Sequence, residues 1–598
     1  MEQEQTSYYI TLPSGLGEKD RNITLAQVLL KYLELEGVTK LFGIPSTAMK
    51  HLLNELKNQN DKFDYVICRQ ETGAAFIADG YFRVTGKLGV VLVACDAGLP
   101  NALTGILTAQ HDKSALLVIS VEPSAENYSN SHILDEVEIS ENINAVYRNI
   151  CQYSDRIRSP QTFQPILTQA LRNALAIPSR TTCIGLPDKL AGSYLSEEMA
   201  FPTKPEHYRA IPQFSSPHQV QQAFDYLTHA KQPLILLGNG CRPALRDRQR
   251  LEKFKSFVEK FAIPVMTTPD AKAIFPESHW LSFRNYGIAG CNWPKYYLES
   301  SNYDALMVMG SSLGRYSTIP PQAGKEPLIP KGALIQVDLD QSAIARFFPV
   351  QLGIVAEVGT VIDNLFELSD RTQADESTVA ERRALIKQIR ETHSPFLEPQ
   401  KRNSEAAPIL PQALMKCIND NEKLRQGGHI FIDSGNSTHW AWHYLELDPP
   451  VEFHVSSTIG PMGFGTAGAI GGKIGSPNQV CVAITGDGGF MMQGNEISTA
   501  AQYNVGVVWV ILYDNDLNMI GQAMNQYFPE PSVWKNYYQL GKPNLAKFAE
   551  GLGADAYEVR TLEEMRLVFA EAISKADINN KPQAIVVYIN TEEIPPWF

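Results

Sequence analysis

From Thr24 to about residue 195 the chain alternates short aliphatic runs with stretches whose apolar residues recur every three to four positions. It passes through LAQVLLKYLELEG, TKLFGIP, YVICR, GAAFIADGYFRVTG, GVVLVAC, ALLVISVE and TCIGLP. Continuous β-branched runs bounded by turn residues and separated by helical patterns predict βαβ units around a parallel sheet buried on both faces. The rhythm restarts with PLILLGNG, IPVMTT, ALMVMGSSLG and ALIQVDLD. It restarts again with HIFIDSG, FHVSS, QVCVAITGDGG, VGVVWVILYDND and AIVVYIN. Two stretches interrupt it. FPTKPEHYRAIPQFSSPH is Pro-rich and reads as a linker, and the stretch from SDRTQADEST to AAPILP is charged, then Pro-rich. The expectation is an α/β protein of three doubly wound parallel-sheet domains, at residues 20–195, 215–370 and 405–590. A chain of 598 residues is too long for one core.

Composition narrows the function. The chain is 44% hydrophobic and 20% charged, and its formal charge of -13 is spread without any block of Lys or Arg. Nothing can neutralise a run of phosphates, so nucleic acid is excluded as an expected partner. No stretch reaches the roughly 20 apolar residues that cross a bilayer, and MEQEQTSYYITLPSG lacks a basic segment followed by an apolar run, so a cytoplasmic protein without a membrane partner is expected. The eight cysteines lie far apart, with no CxxC and no His at metal-ligand spacing, and read as buried thiols.

Two glycine turns invite a ligand. LILLGNG has the form of a strand entering a dinucleotide-binding turn, but it continues CRPAL without the third glycine, so that fingerprint is incomplete. The stronger signal is Gly486-Asp487-Gly488-Gly489 at the end of a buried strand, where backbone N–H groups can approach an anion and Asp487 can bind a cation. The following strand ends in Asp514 and Asp516. Asp514 lies 27 residues after Asp487, room for one helix and one strand of a right-handed crossover. If the strands are neighbours, their acidic ends form a metal site that could bridge to a diphosphate.

At these residues the sequence resembles a known family. GDG with a ligand 27 residues later is similar to the thiamine-diphosphate binding motif, TIGPMGFGTAGAIGGKIG resembles the segment around the cofactor's pyrimidine, and CRQETGAAFIADGYFRVTG resembles the stretch that holds the activating glutamate. The motifs follow the order of the acetolactate synthase, pyruvate oxidase and 2-oxo acid decarboxylase branch. The resemblance implies that Glu71 is catalytic and hydrogen-bonds the pyrimidine N1′, tuning the proton transfer by which the cofactor acts as its own base. It implies that Met462 wedges between the cofactor's rings and that Gly460 offers a carbonyl to its amino group. Asp487, the Asp514 side chain and the Asp516 carbonyl would hold Mg2+. Gly435, Asn436 and Ser437 would meet the diphosphate together with Gly486, Gly488 and Gly489, while Asn101, Asn518 and Met519 complete the cofactor contacts. In this family the glutamate and the diphosphate site meet across two subunits, which implies a homodimer or homotetramer.

The sequence departs from the pattern where selectivity is decided. The usual Asn ligand is Asp514, and an added carboxylate strengthens a hard-cation site but repels the diphosphate unless the metal is bound. The pocket roof reads Asp96-Ala97-Gly98-Leu99-Pro100-Asn101 in place of GPG before Asn. Glu122 stands where the synthases place a glutamine, and Ala523, after Gln522, stands where they carry a tryptophan. Losing an indole opens space, so a 2-oxo acid bulkier than pyruvate, aromatic ones included, is expected as donor or acceptor. His111 and His132 are candidate acid–base groups. SSLGRYS replaces the arginine-containing turn of flavin-binding relatives, so FAD is not expected. The expected reaction is carboligation after decarboxylation of a small-molecule 2-oxo acid. The alternatives are simple decarboxylation to an aldehyde and a non-catalytic binding subunit.

Overall fold

The computed structural model describes residues 19–20, 22–122, 143–195, 199–210, 215–300, 302–319, 328–528 and 535–596. Three six-stranded parallel sheets carry the architecture. The first contains β1 (Lys40–Gly43), β2 (Asp64–Ile67), β3 (Gly89–Ala94), β4 (Leu116–Glu122), β5 (Tyr153–Arg156) and β6 (Thr181–Pro187), in the order β2-β1-β3-β4-β6-β5. The central sheet contains β7 (Gln232–Leu237), β8 (Val265–Thr267), β9 (Ser282–Asn285), β10 (Tyr303–Met309), β11 (Ala333–Asp338) and β12 (Leu352–Val355), in the order β9-β8-β7-β10-β11-β12. The third contains β13 (Gly428–Ile432), β14 (Val451–Val455), β15 (Val480–Gly486), β16 (Val508–Tyr513), β17 (Asp555–Val559) and β18 (Gln583–Tyr588), in the order β14-β13-β15-β16-β18-β17. The expected α/β class and parallel sheets are what the chain forms. Val90–Val93, Leu234–Leu237 and Val507–Ile511 are fully buried, as continuous apolar runs must be when helices cover both faces.

The chain divides into two compact units. Met1–Ile67, Lys87–Leu103 and Ala115–Pro212 form one, around the first sheet; Cys68–Gly86, Thr104–Ser114 and Gln213–Phe598 form the other, around the central and third sheets. The helix Glu71–Thr85 thus belongs with the third sheet, packed on the helix Phe464–Gly475. Glycine permits that approach: a Cβ on Gly471 would lie 1.8 Å from the Ile77 carbonyl oxygen, and one on Gly80 would lie 2.0 Å from that of Gly468. The run GFGTAGAIGGKIG is therefore also a helix-packing surface.

Two segments read from sequence as connections are more ordered than composition suggests. Beyond residue 370, the charged stretch forms the helix Glu376–Thr392, whose Ile386 and Ile389 join the core of the central sheet. Its buried Arg382 donates to the carbonyls of Phe261, Thr228 and Ala230, satisfying the ends of two helices that would otherwise need water. In the Pro-rich linker, Pro205–His207 forms a single 3-10 turn. All eight cysteines are buried and none forms a disulfide. Among the described residues no helix is long and apolar enough to cross a membrane.

Candidate active site

β15 and β16 are parallel neighbours with Gly486 opposite Leu512, so the chain leaves both strands at the same sheet end and Asp487 comes beside Asp514. Asp487 is buried, and its two oxygens accept from the Gly488 N–H at 2.7 Å and the Asn515 N–H at 2.6 Å. Asn515 adopts a left-handed φ of 66°, which turns its N–H back toward Asp487 and leads the chain to Asp516. Asp514 accepts from the Asp516 N–H at 3.3 Å.

The electrostatics of this pair are unfavourable as they stand. Burial raises the carboxyl of Asp487 to about 6, with Asp516 contributing repulsion. Burial and the adjacent Asp487 raise Asp514 to about 7. Among the described residues no Lys, Arg or His is paired with either group. A buried and a half-buried carboxyl side by side, without a Lys, Arg or His partner among the described residues, could offer oxygen donors to a hard divalent cation. The Asp516 side chain adds a buried oxygen without a partner.

The loop expected to meet the cofactor is held over this turn by a residue that pattern reading missed. Asp433, fully buried at the end of β13, accepts from the N–H groups of Gly463 (2.7 Å), Ser434 (2.9 Å) and Thr466 (3.2 Å) and from the hydroxyls of Thr466 and Thr485. It ties the β13 end, the Gly460–Gly463 loop and β15 together. The Met462 methyl consequently sits over the GDGG turn, 2.8 Å from where a Gly488 Cβ would lie. Gly435 has φ 118° and open space around its Cα, and Asn436 begins the helix Asn436–Tyr444, so its first N–H groups can face an anion. Asn436 donates to Gln522 at 3.1 Å and keeps a buried amide oxygen without a partner; Gln522 donates to the Glu593 carbonyl. The Ser437 hydroxyl is used within the protein, donating to the Asp433 carbonyl. Asn518 caps toward the Thr591 carbonyl at 3.2 Å, Met519 and Ala523 are half-buried on the same helix, Asn518–Tyr527, and Gly460 is half-buried in its loop.

Glu71 is the first residue of its helix and is half-buried. The backbone that delivers it is gripped by Glu496, a buried acid of the third domain. Glu496 accepts from the Arg69 and Gln70 N–H groups at 2.9 Å and from Thr499 at 2.6 Å. Gln493 donates to the Gln70 side chain at 2.8 Å. Arg69 and Gln70 lie more than 400 residues from Glu496 and Gln493 in sequence, so no local pattern announces these contacts.

Other expected residues belong to the β3–β4 region of the first sheet. Asn101 is exposed on the helix Gly98–His111, which His111 ends. Glu122 is fully buried at the end of β4, ion-paired with Arg156 and accepting from Asn144 at 2.7 Å, so its carboxylate is taken up by its own domain. His132 lies outside the described residues. In the central sheet the incomplete glycine turn is closed by the chain itself: Gly238 and Gly240 donate to the carbonyls of Met309 and Gly310.

Comparison with known proteins gives a consistent result. Residues 23–142 match the N-terminal TPP binding domain of the thiamine pyrophosphate enzymes, residues 220–365 match their central domain, and residues 433–587 match their C-terminal TPP binding domain. The chain is 27% identical over 579 residues to the probable acetolactate synthase large subunit of Methanocaldococcus jannaschii, covering 96% of this chain and 93% of the relative. It is 27% identical over 560 residues to the acetolactate synthase large subunit of Buchnera aphidicola, covering 93% of each. It is 25% identical over 576 residues to the acetolactate synthase isozyme 3 large subunit of Escherichia coli, covering 96% of each.

Proposed function

Because the chain belongs to the thiamine pyrophosphate enzymes through all three of their domains, we propose that it decarboxylates a 2-oxo acid and couples the acyl unit to a second carbonyl compound, with a substrate bulkier than pyruvate. The observation that carries the reading is the adjacent pair of carboxyl groups, buried Asp487 and half-buried Asp514, with no cationic partner among the described residues, beside the Met462 loop. These side chains and the Asp516 carbonyl would hold Mg2+ against the diphosphate. The amides of Gly489, Asn436 and Ser437 would face its oxygens. When bound, thiamine diphosphate supplies the carbon nucleophile and the electron sink that decarboxylation requires. Glu71 would hold a proton at the pyrimidine N1′, and Asp433 would fix the loop that keeps Met462 in position.

The bulkier substrate is supported by the small side chain of Ala523 on the helix Asn518–Tyr527 and by exposed aromatic residues later in the chain. Tyr527, Phe528 and Tyr537 are all well exposed, with Ile520 on the same helix. Exposed Ile459, Met491 and Met492 lie in the loop and helix of the candidate site, where a second copy would cover them. A homodimer or homotetramer is therefore part of the reading.

The test is product analysis by mass spectrometry over pairs of small, branched and aromatic 2-oxo acids, with thiamine diphosphate and Mg2+ present and Glu71→Gln as control. Coupled products containing a branched or aromatic unit, absent from the control, are expected. Aldehydes alone would make the enzyme a decarboxylase, and coupling of pyruvate only would remove the bulky-substrate claim.

A further inference from the structure

Away from the strand-end turns, the third sheet buries a second group of potential ligands. His429 Nδ1 lies 3.1 Å from His454 Nε2. Glu452 Oε2 lies 3.4 Å from the same His454 atom and 3.7 Å from the His429 atom. The register explains the convergence: His429 on β13 is opposite Glu452 on β14, and Phe431 is opposite His454, so all four side chains share one sheet face. Phe431 stacks on the His454 ring with centroids 4.6 Å apart, which fixes the plane of that imidazole.

We propose that His429, Glu452 and His454 form a second metal site, for a borderline divalent transition ion of the Zn2+ type, distinct from the oxygen site at Asp487. Ligand atoms about 2.0–2.1 Å from a tetrahedral ion stand roughly 3.4 Å from one another. The observed separations of 3.1, 3.4 and 3.7 Å bracket that value. Two imidazoles and one carboxylate select a transition ion over Mg2+ or Ca2+, which take oxygen ligands. With three protein ligands, a fourth position is left for water.

The surroundings support the ligands and narrow the choice of ion. The two imidazole side chains are only 5% and 2% exposed, and burial keeps them in the neutral form that coordinates. Arg246 holds both oxygens of Glu452, at 2.6 and 2.7 Å, and so fixes the carboxylate as outer-shell donors do. That guanidinium, with Arg242 and Arg83 close by, opposes any cation held by charge attraction alone. Affinity must then come from the imidazole nitrogens, which again favours Zn2+, Co2+ or Ni2+. Arg246 belongs to the central segment and also donates to the Arg83 carbonyl, so the ion would brace the β13–β14 edge against the neighbouring elements.

The experiment uses the full chain, stripped of metal and saturated with Mg2+, titrated with Co2+ as a spectroscopic probe. The expected result is the intense visible absorption of a four-coordinate site, saturating at one Co2+ per chain and displaced by Zn2+. It should persist in Asp487→Asn and vanish in His429→Gln and His454→Ala. Zn2+ should also raise the unfolding temperature of the parent protein and leave that of His429→Gln unmoved. A weak six-coordinate spectrum, or a four-coordinate one surviving in both histidine variants, would overturn the proposal and leave a direct imidazole–imidazole hydrogen bond. Should the variants fail to fold, the absence of a four-coordinate spectrum in the parent would still overturn it.

Discussion

The first and third sheets share one strand order, and each carries acids where its third and fourth strands end, yet the two sets of acids differ in their surroundings. After β3 comes Asp96, exposed and accepting from its own following N–H, and β4 ends in Glu122, buried against Arg156 and Asn144. After β15 comes Asp487, buried, and after β16 comes Asp514, also short of any cationic partner. The topology offers the same positions twice. In the first sheet one acid is left to solvent and the other is paired by the protein itself; in the third the two lie close together without a cationic partner among the described residues, a setting that an added positive charge would relieve.

That contrast can be broken or sharpened by substitution. The largest effect is expected at Glu71, the acid that follows β2. Replacement by Gln should lower kcat by about 10²–10⁴-fold, the usual contribution of a positioned proton-handling group, with little change in Mg2+ affinity by titration. At Glu122, Ala should cost about 3 kcal/mol of stability, the lower end for breaking a buried pair because Arg156 keeps some exposure. Chemical denaturation would measure it, with turnover per folded enzyme nearly unchanged. A shift in substrate preference without loss of stability would place Glu122 in the substrate pocket. Asp487→Asn should weaken Mg2+ by about 100-fold or more, since it removes a ligand rather than the support of one. Asp514→Asn restores the family's usual ligand and should weaken Mg2+ only about tenfold while keeping the same coupled products. Equal losses from both replacements would mean that the charge of Asp514 is as necessary to the cation as that of Asp487.

Much of this was legible in the sequence, and the limits have physical causes. The β-branched runs announce all three sheets because a strand covered on both faces has no polar alternation to confuse it. GDGG and Asp514 were readable because the crossover joining them is local, and the register of β15 on β16 then fixes their distance. The helix Glu376–Thr392 was read as a charged connection because few of its residues are apolar, and its buried Arg382 is satisfied by carbonyls more than 100 residues away. Asp433 and Glu496 were missed for the same reason. Each is a buried acid whose donors come from other elements, and a single sequence cannot tell such an acid from a solvated one. Glu122 is a different case: family position points to it, and its burial against Arg156 and Asn144 is set by residues 22 to 34 positions away that no local pattern announces.

The claim at the centre of this account is that the third sheet's carboxylates are held for a divalent cation that in turn holds the diphosphate. Calorimetric titration of thiamine diphosphate into the metal-stripped protein, with and without Mg2+, tests it most directly. Binding that is tight with Mg2+, at least tenfold weaker without it, and insensitive to Mg2+ in Asp487→Asn is the predicted result. Equal affinity in the presence of Mg2+ and of a chelator would contradict it.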